Sequence, residues 1–323
     1  MDGQPESIEL NRLKFYPIMM FAIVMGISGL TIAYQKAAEF IGFPHIIGNA
    51  MMYIALGLFA IISLIYIIKL IKYPKAVMNE WKHPVRINFF SAISISMLML
   101  AIITRHDFHT LGAAFWYVGT ALHMFMTLYT ISFWINHNQE IGHSNPAWFI
   151  PIVGNVLVPV GGIGLASKIV LMYFFSVGVF FWIIFLSIIF NRIIFHHQLA
   201  QKFLPTLFIL LAPPAVAFIA YFKLFAVVDT FATFVYSIAV FFTFMLAFMF
   251  RQFIGLKYFI SWWAFIFPLA AMAIAAMVMY HKTQDVFSMY LAYTMMGVTT
   301  LMTLAVLYQT IRHMFMHEIC IQE

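Results

Sequence analysis

Ten long apolar runs separated by short polar stretches make up nearly the whole chain. They fall at about 15–34, 46–71, 87–104, 111–134, 147–166, 170–194, 204–222, 229–250, 259–280 and 286–311, each near the roughly 20 residues that a helix needs to cross a bilayer. The connections are short, so successive runs are expected to pack as antiparallel helical hairpins.

Proline sorts the runs into two kinds. Pro17, Pro151, Pro159, Pro213, Pro214 and Pro268 all lie in odd-numbered runs, and no even run contains one. Small and hydroxyl residues interrupt the odd runs as well: Gly26, Ser28 and Gly29 in the first, Ser91, Ser94 and Ser96 in the third, Gly154 and Asn155 in the fifth. Even runs carry aromatics instead, such as Phe174, Phe175, Phe180, Phe181 and Trp182. A loosened backbone is tolerated at membrane depth where protein or a water-filled path satisfies it, and smooth apolar helices suit a lipid-facing rim. The expectation is an all-α integral membrane protein of ten transmembrane helices. They would form five hairpins around a central pore, with the odd helices inner and kinked and the even helices outer and straight. No residue-level repeat is visible, so fivefold repetition rests on this sorting alone.

The stretch Ser261–Ala276, SWWAFIFPLAAMAIAA, is apolar after its first residue. Pro268 removes one N–H donor and presses on the carbonyl of Ala264, which predicts a bend at its centre. Phe267 stands just before that bend, and five alanines follow it. A large ring followed by small residues fits a plug in a narrow path. Taken alone, the residues favour ordinary packing, because apolar periodicity usually means core.

Composition sets the class. Of 323 residues, 64% are hydrophobic and only 9% charged, against about a quarter charged in a soluble fold. Cys320 is the single cysteine, which excludes a disulfide framework. The polar start MDGQPESIELNRLK is not a cleavable signal peptide. Of the 17 Lys and Arg, five (Lys36, Arg105, Lys168, Lys223 and Lys282) fall on one side of the alternating spans and the rest on the other. This bias places both termini in the cytoplasm, and the net charge of +6 concerns topology rather than nucleic acid. The expected layout is a short cytoplasmic tail over 1–14, one channel domain over 15–313 and a second cytoplasmic tail over 314–323.

With that orientation all five odd helices start at the cytoplasmic face, so their partial positive ends point together to the side rich in Lys and Arg. Asp107, Glu140, Asp229 and Asp285 fall in loops or at span ends, whereas proton- and cation-coupled transporters place carboxylates at mid-depth. A neutral, slightly hydroxylic lumen suits passive movement of small anions.

Four local motifs carry a resemblance: HPVRINFF at His83–Phe90, NPAWFIPIVGN at Asn145–Asn155, LLAPPAV at Leu210–Val216 and WWAFIFP at Trp262–Pro268. In this order and spacing the chain resembles the family of plant slow anion channels and the bacterial tellurite-resistance protein TehA, the tellurite-resistance/dicarboxylate transporters. The resemblance covers nearly the whole chain. It implies five hairpins whose odd helices line a pore, a homotrimer with one pore per subunit, and occlusion of that pore by the aromatic at Phe267. That turns the reading of Phe267 from packing to gate. The chain departs from the plant members in lacking long polar termini, so control through phosphorylated tails is not expected; its build looks bacterial, which implies the inner membrane.

Other candidates are weaker. Arg86, at the cytoplasmic mouth, fits an anion, a lipid headgroup or a helix end equally. Asn155 faces either the path or a neighbouring helix. His106 with His109, and His313 with His317, have metal-like spacing but no complete ligand set, so no metal is expected. His123 is the one histidine well inside a span, too few for a bis-histidine haem, and no cofactor is expected. The function expected is an anion channel or channel-like permease and not an enzyme. The alternatives are a secondary exporter of dicarboxylate, tellurite or sulfite and, from another class, a cofactor-bearing redox subunit, which an absorption spectrum would reveal.

Overall fold

A computed structural model describes residues 12–321; the first eleven residues of the expected N-terminal tail and the last two of the C-terminal one lie outside the described residues. The ten spans are α1 Ile18–Ile41, α2 His45–Lys72, α3 Arg86–Thr104, α4 His109–Asn136, α5 Pro146–Gly162, α6 Lys168–Phe195, α7 Gln201–Phe225, α8 Thr230–Phe248, α9 Ile260–Thr283 and α10 Val286–Phe315. Nine are long and apolar enough to cross a bilayer, and α5 is shorter. A further short helix, Pro74–Trp81, follows α2.

The odd helices form a closed ring: α1 packs on α3, α3 on α5, α5 on α7, α7 on α9, and α9 back on α1. Each even helix packs outside its own hairpin partner and leans on the next inner helix round the ring. Burial follows this division. α1, α3, α7 and α9 bury 72, 83, 89 and 83% of their apolar stretch, while the five even helices bury 22–33%. In α5 every residue except Val160 is buried. The apolar surface of the even helices, including Phe180, Phe234, Phe241 and Leu301, is exposed on the outside, where lipid tails satisfy it. Chain order and packing together make this a multi-pass membrane protein of five hairpins.

A local repeat underlies the ring. Every inner span opens on a 3-10 segment (Ile18–Met20, Arg86–Phe90, Pro146–Phe149, Gln201–Leu210 and Ile260–Phe265) and then continues as α-helix. The prolines cluster at this change of pitch. Pro17 caps the 3-10 turn of α1, while Pro151, Pro213, Pro214 and Pro268 occupy the first turn of the α-helical parts. Pro159 alone lies well inside an α-helix. The sequence placed the break of α9 at Pro268. In the structure the pitch changes earlier, between Phe265 and Ile266, which leaves Pro268 in a first helical turn where its missing N–H costs least.

At the far ends, α1, α7 and α9 stop on left-handed residues, Gly42 (φ 77°), Ala226 (φ 57°) and Gln284 (φ 55°). Only the first is the glycine that this conformation favours. Outer helices start differently: the carboxylates of Asp229 and Asp285 accept from the Ala232 and Ser288 N–H groups and cap α8 and α10. Those bonds hold both carboxyls below the usual carboxylate range.

Candidate pore

All five inner helices meet at one small apolar cavity. Its walls are Ala22 and Met25 of α1, Phe89 and Ile95 of α3, Ile150 and Val153 of α5, Ile209 and Ala212 of α7, and Trp263, Ala264, Phe267 and Pro268 of α9. It measures about 40 Å³, room for a few waters at most. It is lined near the change of pitch in each helix, so the 3-10 segments and the first α-turns together shape it.

Phe267 projects into this space from α9 and is 9% exposed. Its ring lies over Gly29 of α1, where an added Cβ would come within 3.3 Å of Phe267 Cδ2. Among the described residues its ring meets no other aromatic ring. Phe265, two positions earlier, is packed among rings, with centroids 4.7 Å from Phe208 and 6.0 Å from Trp262. The two phenylalanines therefore occupy different settings, one at the cavity and one in an aromatic cluster.

Gly26, Ser28, Ser94 and Asn155, also named from the sequence, do not line this cavity. Gly26 backs onto Trp263, whose ring would lie 2.9 Å from an added Cβ. Ser28 is fully buried, with its hydroxyl unpartnered among the described residues. Ser94 donates to the Ser91 carbonyl and meets His123 Nδ1 of α4 at 2.8 Å. Asn155 turns to α4 too, donating to Thr127 Oγ1 at 2.9 Å and to the Pro151 carbonyl at 3.2 Å. The expected hydroxylic lumen is thus apolar at this constriction. The Ser94 hydroxyl and the Asn155 amide make helix–helix contacts to α4, because a polar group buried in protein needs a partner.

His123 and Asn155 belong to a buried polar cluster between α3, α4 and α5 that sequence reading did not assemble. The imidazole lies so close to Gly154 that a Cβ there would come within 2.1 Å of His123 Cε1, so glycine alone fits at that position. The signal available was the lone histidine in α4 and the Gly-Asn pair in α5, with nothing to join them.

A second space opens at the face that carries both described chain ends. It measures about 1040 Å³ and is bordered by Lys14, Lys69, Lys75, Arg86, Lys202 and Lys257, with Glu80, Glu318 and Cys320 also present. Arg86, read from sequence as a mouth residue, borders this space. Burial pushes the Cys320 thiol up to about 11, which keeps it protonated at neutral pH.

This mouth also holds a buried ion pair that sequence reading missed. Lys69 Nζ donates to Glu80 Oε2 and to the Tyr16 carbonyl, both at 2.7 Å. Tyr66 donates its hydroxyl to the same carboxylate at 2.8 Å, and the Ile18 N–H donates to Glu80 Oε1 at 3.3 Å. Glu80 thereby ties α2, the short helix and the first turn of α1 together. Among the described residues no group of three or more His, Cys, Asp and Glu could hold a metal ion; His106 meets Asp107, and His313 meets Glu318 at 3.4 Å.

Comparison with known proteins gives a consistent result. The sequence profile of a family described as "Voltage-dependent anion channel" matches residues 16–311. The S-type anion channel SLAH2 of Arabidopsis thaliana is 30% identical over 319 residues, covering 96% of this chain and 62% of that protein. The Guard cell S-type anion channel SLAC1 of the same plant is 27% identical over 326 residues, 96% of this chain and 58% of its own length. The Tellurite resistance protein TehA homolog of Haemophilus influenzae is 26% identical over 304 residues, covering 91% of this chain and 92% of that protein. The chain spans less than two thirds of the length of these plant relatives.

Proposed function

We propose, from the premise that the chain belongs to the voltage-dependent anion channel family, that it passes small inorganic anions through the ring of inner helices, with Phe267 closing the path at rest. The observation that carries this reading is the cavity to which all five inner helices contribute, with one phenylalanine ring in it. Its lining holds no charge, so a passing anion binds weakly, which favours throughput over tight retention. A carrier that holds a dianion needs a fixed cation in the path, and the cavity lining supplies none.

An apolar constriction without fixed charge cannot repay a lost hydration shell. Permeability should therefore follow ease of dehydration, with iodide and nitrate above chloride and chloride above fluoride. Reversal potentials of the purified protein under bi-ionic conditions read this order. A strong preference for a divalent organic acid, saturating at low concentration, would replace the channel with the exporter.

The same reading puts the chain in a bacterial inner membrane with both termini in the cytoplasm, on the basic-residue bias. The large basic space then opens to the cytoplasm, where the N-terminal ends of the inner helices also draw anions. Asn138→Cys, in the loop between α4 and α5, is expected to resist an impermeant thiol reagent applied to intact cells. Labelling from outside would reverse the topology. Assembly as a homotrimer with one path per subunit belongs to the same proposal, and the mass of the purified assembly is its measure.

A further inference from the structure

On the face away from the chain ends, α1, α3, α7 and α9 each finish with one basic residue, and a fifth opens α6 just beyond α5. Lys36 lies near the end of α1, Arg105 directly follows α3, Lys168 follows the turn after α5, and Lys223 and Lys282 stand in the last turns of α7 and α9. These five are all the Lys and Arg on that face.

Three of them reach an inner helix other than their own. Arg105 donates to the Gly161 carbonyl at the end of α5, 2.9 Å away. The Lys168 ammonium stands 4.3 Å from the Phe225 ring at the end of α7, and that of Lys282 stands 5.3 Å from the Phe222 ring. Phe40 of α1 stacks on His281 of α9 at 4.4 Å, which joins the last helix to the first.

The acids of this face are sorted the other way. Asp229 and Asp285 cap outer helices, and Asp107 pairs with His106 just before α4. Only Glu39 belongs to an inner helix, where it pairs with Lys36. Helix dipoles account for most of this, since cations suit C-terminal ends and carboxylates N-terminal ones. Lys168 is not accounted for in that way. It occupies the first position of α6, the positive end of an outer helix, and its ammonium lies against α7 instead.

Five parallel inner helices turn their C-terminal ends, each equivalent to roughly half a negative charge, toward this mouth. Unbalanced, those ends would repel an arriving anion. We propose that Lys36, Arg105, Lys168, Lys223 and Lys282 form an anion-gathering ring that turns this mouth from repulsive to attractive for small anions. The use of the ring in conduction rests on the anion-passing reading; its electrostatic effect does not.

The test is a reporter thiol, Thr283→Cys in a Cys320→Ser background, at an exposed position beside Lys282. Its reaction rates with an anionic sulfonate and a cationic ammonium thiosulfonate reagent give a ratio that reports the local potential. Lys223→Gln with Lys282→Gln, which keep side-chain bulk, is expected to lower the anionic-to-cationic ratio by roughly fivefold at about 10 mM salt. At about 1 M salt, where screening acts within roughly 3 Å, the ratio should be nearly unchanged. An unchanged ratio at low salt, or the same fall at both salts, overturns the ring. Single-channel current–voltage curves of the same variants separate the two proposals. A Phe267→Ala background that passes no anions while the ratio falls as expected refutes the conduction reading alone. A conducting background whose rectification and reporter ratio both ignore the substitutions refutes the ring alone.

Discussion

Phe267→Ala is expected to raise anion current by at least about tenfold, equivalent to lowering the barrier by about 1.4 kcal/mol, and Phe267→Leu to raise it less. The ring lies across a cavity of about 40 Å³ with Gly29 on its other side. Removing it merges the space it fills with a void already present and takes away a hydrophobic constriction that sheds water. If Phe267 were core packing, truncation would instead cost about 3–5 kcal/mol, lower the folded yield and add no current. Phe265→Ala supplies that comparison within the same helix. Its ring packs against Phe208, Phe253 and Trp262, so its loss should fall on stability alone. Currents in planar bilayers at matched protein amounts separate the two. Equal currents from both variants and the parent would end the gate hypothesis.

Breaking the Lys69–Glu80 pair carries the second large effect, on folding. Both side chains are at most 4% exposed, and the carboxylate also holds Tyr66 and the first N–H of α1. Lys69→Met strands a buried carboxylate, and Glu80→Leu leaves a buried ammonium with the Tyr16 carbonyl and the Tyr66 ring but no counter-charge. Each is expected to cost about 3–5 kcal/mol, whereas replacing both by apolar residues is often close to neutral. The double variant should therefore unfold nearer to the parent than either single variant in detergent thermal melts. Additive losses would show that the pair acts as two independent groups.

The spans were legible because a bilayer demands long apolar runs, and inner and outer classes because proline and glycine survive only where protein covers the backbone. Pro213 and Pro268 marked the inner helices correctly without marking where the pitch changes, since the 3-10 segments that precede them have no residue signature of their own. Ring closure between α1 and α9 joins residues more than 200 positions apart, and Gly29 against Phe267 is visible only once both helices are placed. Asn155 takes the second of the two settings open to it from sequence, a neighbouring helix, and Ser94 does the same. A hydroxyl or amide in an apolar helix names a polar contact, and His123 and Thr127 of α4, rather than the path, turned out to supply it. Glu80 was missed because it lies within a short amphipathic helix that reads as surface. The turn at Pro74 is what folds it back onto Lys69.

The most direct measurement of the central claim is the reversal potential of Phe267→Ala in a planar bilayer under a potassium chloride gradient. Movement of anions through the inner ring predicts reversal close to the chloride equilibrium potential. Reversal at the potassium equilibrium potential, or no current above that of the protein-free bilayer, would contradict it.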